Sequence, residues 1–144
     1  MMKKQIKNIL FSIIVLFLAG CAMEEPYNDV YFTQVECTTL SDPGQLKQMV
    51  IASKAEFDRM FKTTGTPVDF STHFVVAIVH PSTQKETTMK VTKVLNKEQS
   101  LVVKYVVKYG KDQTKKSLPN AVIAVENGYF NCDIAIFDVS DLEY

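Results

Sequence analysis

The side chains able to do chemistry are few: three cysteines (Cys21, Cys37, Cys132), two histidines (His73, His80) and the carboxylates Asp133 and Asp138 near the end of the chain. A nucleophilic cysteine needs a neighbouring base to hold it as thiolate. His73 and His80 flank one apolar run at a separation of seven, and an odd separation on a strand turns two side chains to opposite faces. Neither histidine belongs to an HxH or HExxH spacing, so no metal site is expected. Asp133 and Asp138 are five apart and diverge in the same way, which argues against the paired carboxylates of glycoside hydrolysis. With no glycine-rich phosphate loop, no GxSxG and only five glycines, a small hydrolase is the least supported class, and no cofactor is expected. Cys37 and Cys132 have two readings. One is a disulfide closing a long loop, contributing up to about 4–5 kcal/mol in the chain-entropy picture; the other is two buried free thiols acting as small apolar side chains.

Cys21 stands apart because of what precedes it. Lys3, Lys4 and Lys7 lead into an apolar run, Ile9 to Leu18, broken only by Ser12. That run is short for a membrane span and suits an export signal. It closes on Leu18-Ala19-Gly20-Cys21, which resembles the bacterial lipoprotein lipobox. The resemblance implies cleavage after residue 20 and palmitate-type acylation of Cys21, a membrane anchor of several chains at about 0.8 kcal/mol per buried methylene. Ala22 departs from the aspartate that retains such proteins at the inner membrane, which implies an outer-membrane address. Glu24 and Glu25 look like the acidic export signal of Bacteroidetes lipoproteins, which implies the cell surface. Residues 1–20 are thus read as signal peptide, 21–28 as tether and 29–144 as one domain. With the three leader lysines gone, thirteen basic residues face sixteen acidic ones, a net charge of −3. That balance, with Arg59 as the lone arginine, excludes nucleic acid as a partner.

The elements that would position these residues are mostly strands. Phe74–Val79, Lys90–Leu95 and Leu101–Tyr109 are runs of β-branched and aromatic residues bounded by polar turns, the pattern of adjacent antiparallel strands. Phe74–Val79 is apolar on both faces, as a central covered strand must be. In the third run Val103, Tyr105, Val107 and Tyr109 share the inward face. Val30–Cys37 and Gln48–Ala52 read as further strands, with Ser41-Asp42-Pro43-Gly44 as a turn between them. Ser53-Lys54-Ala55-Glu56 is a capping box, and Phe57, Met60 and Phe61 fall on one face of a helix from Lys54 to about Lys62 that plugs one end of a sheet. Gly110–Ser117 reads as a mobile basic loop. Ala121–Val125, then Asn127-Gly128, then Tyr129–Val139 predicts a closing hairpin with a type I′ turn. The fold expected is mainly β: a sandwich or partly open barrel of about seven antiparallel strands with one short helix.

From Ser53 onward the layout resembles the family of the C-terminal domain of the protease complex subunit PrcB. The resemblance is carried by Ser53-Lys54-Ala55-Glu56-Phe57, by Pro67-Val68-Asp69-Phe70-Ser71 leading into Phe74–Val79, by Thr88–Val94 and Leu101–Val103, and by Pro119 before Val122–Val125. The family's Thr-Gly-Gly-Tyr turn is replaced here by His80-Pro81-Ser82-Thr83-Gln84-Lys85-Glu86-Thr87. The resemblance implies a small non-enzymatic module that supports or binds another protein. The function expected is a lipid-anchored, non-catalytic protein-binding or accessory module of the cell envelope. It would be protease-associated and meet another envelope protein through the candidate binding loop His80, Pro81, Ser82, Thr83, Gln84, Lys85, Glu86, Thr87 together with the basic loop. The alternative is a purely structural scaffold that pairs through a sheet edge.

Overall fold

The computed structural model describes residues 26–142. The expected signal peptide, Cys21, Glu24 and Glu25 lie outside the described residues, as do Glu143 and Tyr144. Among the described residues ten strands occur: β1 Asn28–Asp29, β2 Phe32–Gln34, β3 Cys37–Thr39, β4 Lys47–Ile51, β5 Phe61–Thr63, β6 His73–Val79, β7 Thr83–Lys97, β8 Ser100–Ser117, β9 Asn120–Glu126 and β10 Asp133–Asp138. One helix, α1, spans Lys54–Met60, and a single 3₁₀ turn covers Asn127–Tyr129. Two four-stranded sheets, ordered β1-β7-β8-β10 and β2-β9-β6-β4, face each other as a sandwich without closing into a barrel. A third, two-stranded sheet pairs β3 with β5. Among the described residues no helix is long and apolar enough to cross a membrane.

One ribbon generates most of this architecture. β6 pairs with β9 from His73↔Glu126 to Val79↔Asn120, and the ladder carries on through the His80 amide to the Pro119 carbonyl at 2.9 Å. It then continues as β7 with β8 from Thr83↔Ser117 to Lys97↔Ser100. The ribbon bends back at residues 80–82 and 118–119, so its two halves fall into different sheets and pack face to face. Phe74, Val76 and Ile78 of β6 and Ile123 and Val125 of β9 meet Val91, Val94, Leu101, Val103 and Tyr105 in the inter-sheet core. The opposite faces of β6 and β9, through Val75, Ala77, Val79, Val122 and Ala124, form a second core with Phe57, Phe61, Ile51 and Val35. β6 is therefore buried on both sides, as its unbroken apolar run requires. Among the described residues, all the buried apolar ones lie between Val30 and Val139.

Helix α1 starts where the capping box predicts, with the Ser53 hydroxyl accepting from the Glu56 amide at 3.2 Å. It stops at Met60, because Phe61 turns extended and pairs with Thr39 in the small sheet. Phe57 and Phe61 plug the second core, their ring centroids 5.1 Å apart. The predicted turn after β3 also forms: Gly44 adopts φ +81°, and the Asp42 carboxylate accepts from the Gly44 amide at 2.9 Å.

Four expectations need correction. The expected single strand Val30–Cys37 is broken: β1 ends before it at Asp29, β2 occupies Phe32–Gln34 and β3 begins only at Cys37, and these three short strands belong to three different sheets. Val30 enters the inter-sheet core and Val35 the second core, which is why its alternation is irregular. The basic segment Gly110–Ser117 is not a loop but the outer end of β8. The hairpin after β9 does not form, because both edges of β9 are already occupied by β6 and β2. Asn127 is tied instead to the entry of β6, its amide donating to the Thr72 carbonyl at 2.9 Å and its side chain to the Ser71 carbonyl at 3.3 Å. The chain then crosses to the other sheet, and β10 runs parallel to β8. The fourth concerns the cysteines, where of the two readings the disulfide gives way to the free thiols: Cys37 and Cys132 are free. Cys37 packs on the second core and Cys132 on the inter-sheet core, so the sheet containing β6 and β9 stands between them.

Candidate functional site

The segment expected as a binding loop and the segment expected as a basic loop turn out to be partners. Only His80, Pro81 and Ser82 form a connection; Thr83–Thr87 opens β7 and pairs with the outer end of β8, through Thr83↔Ser117, Lys85↔Asp112 and Thr87↔Tyr109. Thr83–Lys90 with Lys108–Ser117 makes an overhang where the ribbon passes beyond the core before turning back over it. Its register is irregular, since between the pairs Thr83↔Ser117 and Lys85↔Asp112 one residue of β7 opposes four of β8. Such bulges bend a ribbon and twist its exposed edge. Gly110 leaves room for the Glu86 side chain: a Cβ there would lie 2.8 Å from the Glu86 Oε1 and 3.2 Å from its Cβ.

The bend is held by polar contacts. The His80 Nδ1 lies 2.7 Å from the Pro81 carbonyl, which can only accept, so Nδ1 carries a proton. The Nε2 lies 2.8 Å from the Tyr109 hydroxyl, with the two rings edge-on at 5.6 Å. Across the corner the Asp42 carboxylate accepts from the Ser82 amide at 3.2 Å. These two amide bonds, from Gly44 and Ser82, hold the Asp42 carboxyl below the ordinary aspartate range. Farther out, the Gln84 side chain donates to the Thr114 carbonyl at 3.1 Å, and Lys85 meets Asp112 at 3.2 Å. That pair is exposed and contributes little.

His73 lies at the other end of β6, its Nδ1 2.7 Å from the Thr72 hydroxyl. The structure thus separates the two histidines by the length of a strand, and neither is hydrogen-bonded to a cysteine or a carboxylate. Burial pushes the Cys37 thiol up to about 11, so it stays protonated at neutral pH. Cys132 is contacted by the Asn96 side-chain nitrogen at 3.9 Å. Asp133 and Asp138 stand at the two ends of β10.

Two surfaces were not legible from residue spacing. One is an apolar groove of about 480 Å³ between α1, β5 and the chain at 67–70, lined by Phe57, Phe61, Val68, Phe70 and the exposed Leu40. Helical spacing marked Phe57 and Phe61 for burial but could not show that the turn after them leaves a trough. The other is the open edge of β10. The Asp133 amide donates to the Gln99 carbonyl just before β8 and the Val139 amide to the Tyr105 carbonyl of β8, so in a parallel ladder the odd residues face β8, and the backbone groups of Ile134 and Ile136 face outward. No other described strand pairs with that edge. No family model, curated protein or solved structure matches this chain.

Proposed function

We propose that this chain is a membrane-anchored envelope lipoprotein whose β domain is a non-catalytic protein-binding or accessory module, and that the overhang is the part that meets the partner. The observation that carries this reading is the overhang itself. Two polar segments are held together as a projecting ribbon that buries little apolar surface, while it presents six lysines against two acidic residues. Ordering a ribbon costs conformational entropy, and here little of that cost is recovered in a core. A partner with an acidic surface fits this charge and would gain from a preorganised ribbon. The lipobox resemblance at Leu18–Cys21 supports the anchor, and the resemblance to the PrcB C-terminal family supports a protease-associated partner.

The test has two arms. Mass spectrometry of the mature N-terminal peptide reports whether Cys21 carries acyl chains. A photocrosslinking residue at Thr114, compared with one at Lys54 on α1, reports contact in native envelopes. The account expects a discrete adduct at Thr114 only, abolished by K111E/K115E; equal adducts at both sites would contradict it. The open edge of β10 favours a second reading, a structural scaffold pairing through that edge. In that case Ile136→Pro abolishes assembly and the overhang substitutions do not.

A further inference from the structure

We infer that the outer face of the sheet β1-β7-β8-β10 rests on an anionic lipid surface. Cross-strand partners share a face of a sheet, and the register pairs Thr88 with Lys108, Lys90 with Val106, Lys93 with Lys104, Leu95 with Val102 and Lys97 with Ser100. The intervening pairs, Val91 with Tyr105 and Val94 with Val103, point into the inter-sheet core. Lys90, Lys93, Lys97, Lys104 and Lys108 therefore stand together on the side away from the core. Among the described residues three acidic ones share it: Asp29, paired with Leu95 and 3.5 Å from Lys93, Asp133, paired with Ser100, and Glu86, two residues before Thr88 with its side chain over Gly110 at the outer end.

Lys93 directly opposite Lys104 is unfavourable in water, because like charges on cross-strand partners repel. Beside a negatively charged surface the same pair becomes an asset. The wider charge distribution has the same sense. Residues 83–117 carry nine lysines and three acidic residues, whereas the rest of the described chain carries four basic and ten acidic. A domain with that polarity orients its ribbon toward an anionic surface and its remaining body away from it.

Apolar groups complete the face. Tyr27 and Phe137, 47% and 51% exposed, flank Val102 and Ala135 around a depression of about 490 Å³. An aromatic ring beside lysines is suited to the headgroup layer of a bilayer. Tyr27, whose ring lies 5.5 Å from the Lys97 ammonium, is also where the chain leaves the domain toward Cys21, and six residues reach at most about 20 Å. The tether geometry rests on the acyl anchor proposed above; the charge pattern does not.

The test uses the fragment Pro26–Tyr144, which contains all the buried apolar residues of both cores and lacks Cys21. It is mixed with vesicles of phosphatidylcholine alone or with about one-third phosphatidylglycerol, and flotation is measured at low and high salt. Each lysine near an anionic bilayer raises partitioning about fivefold. The inference expects flotation with anionic vesicles at low salt only, and about 30-fold weaker partitioning for K93Q/K104Q. R59Q/K62Q, on α1 and β5 beyond the other sheet, should partition like wild type. Phe137→Trp gives a single-tryptophan protein, because the chain has none, and its emission should shift to the blue on anionic vesicles. No flotation, equal flotation with both vesicle types, an equal loss for R59Q/K62Q, or an unmoved tryptophan emission in the Phe137→Trp variant would overturn the inference. An unacylated Cys21 in the native protein would remove the anchor and leave this result standing.

Discussion

Val91–Lys97 with Ser100–Val107, and Thr83–Lys90 with Lys108–Ser117, are successive lengths of the same two strands, and they are made by different rules. In the inner length, alternate residues Val91, Leu101, Val103 and Tyr105 are at most 1% exposed, and pairing is regular apart from one bulge at Thr92. A one-residue slip there would turn the whole apolar set to solvent, so burial fixes the register. In the outer length most side chains are polar and exposed, although Thr83, Thr87, Met89, Gln113 and Ser117 are half-buried, and the register shifts twice within five residues of β7. Backbone hydrogen bonds and the contacts at the bend hold it, with little hydrophobic penalty for irregularity. One ribbon thus has a half specified by the core and a half free to be specified by contact.

Substitutions that separate the two halves follow in order of size. Leu101→Ala, fully buried in the inner length, should cost about 2–5 kcal/mol in urea unfolding, since it leaves a cavity between two sheets. Gly110→Ala in the outer length should cost about 1 kcal/mol, because the added methyl must displace Glu86. Hydrogen exchange should speed up around Thr87 while β6 is unaffected. Lys85→Ala removes only the exposed pair with Asp112 and should change stability by less than about 0.5 kcal/mol. A loss at Lys85 comparable to that at Leu101 would mean the overhang is part of the core after all.

The pH dependence probes the joint between the halves. Asp42 has a depressed folded pKa because it accepts from the Gly44 and Ser82 amides. Its contribution is therefore present above the unfolded value of about 3.9 and is lost as pH falls through the lower folded value. Melting temperatures of wild type and Asp42→Asn should coincide well below pH 3 and separate above pH 4, with wild type higher by a small margin. Coincidence across the whole range would show that the corner contact contributes nothing.

What could be read from the amino acids alone follows the same division. β6 announces itself because six consecutive apolar residues must be covered on both faces. The Ser53 cap and the Phe57/Phe61 pair are local signals with local outcomes. The outer ends of β7 and β8 bury no face, so no alternation marks them as strands; Lys115 and Lys116 look like loop residues wherever they stand. Asn127-Gly128 misled for a different reason. A turn propensity worth tenths of a kcal/mol cannot make a hairpin when β9 has no free edge to offer. Irregular alternation at Val30–Cys37 was a true signal of a chain passing through three sheets, visible only once the layers are known. For the candidate site, the residues His80–Thr87 were legible, but their partner strand was not, because pairing across thirty residues leaves no trace in local composition.

The most direct measurement is hydrogen exchange by mass spectrometry on the protein in its native envelope and on the purified protein. The account predicts that amides of residues 84–90 and 109–116 exchange more slowly in the envelope, while those of β6 and β9 are equally slow in both. Identical exchange of the overhang in the two preparations would contradict it.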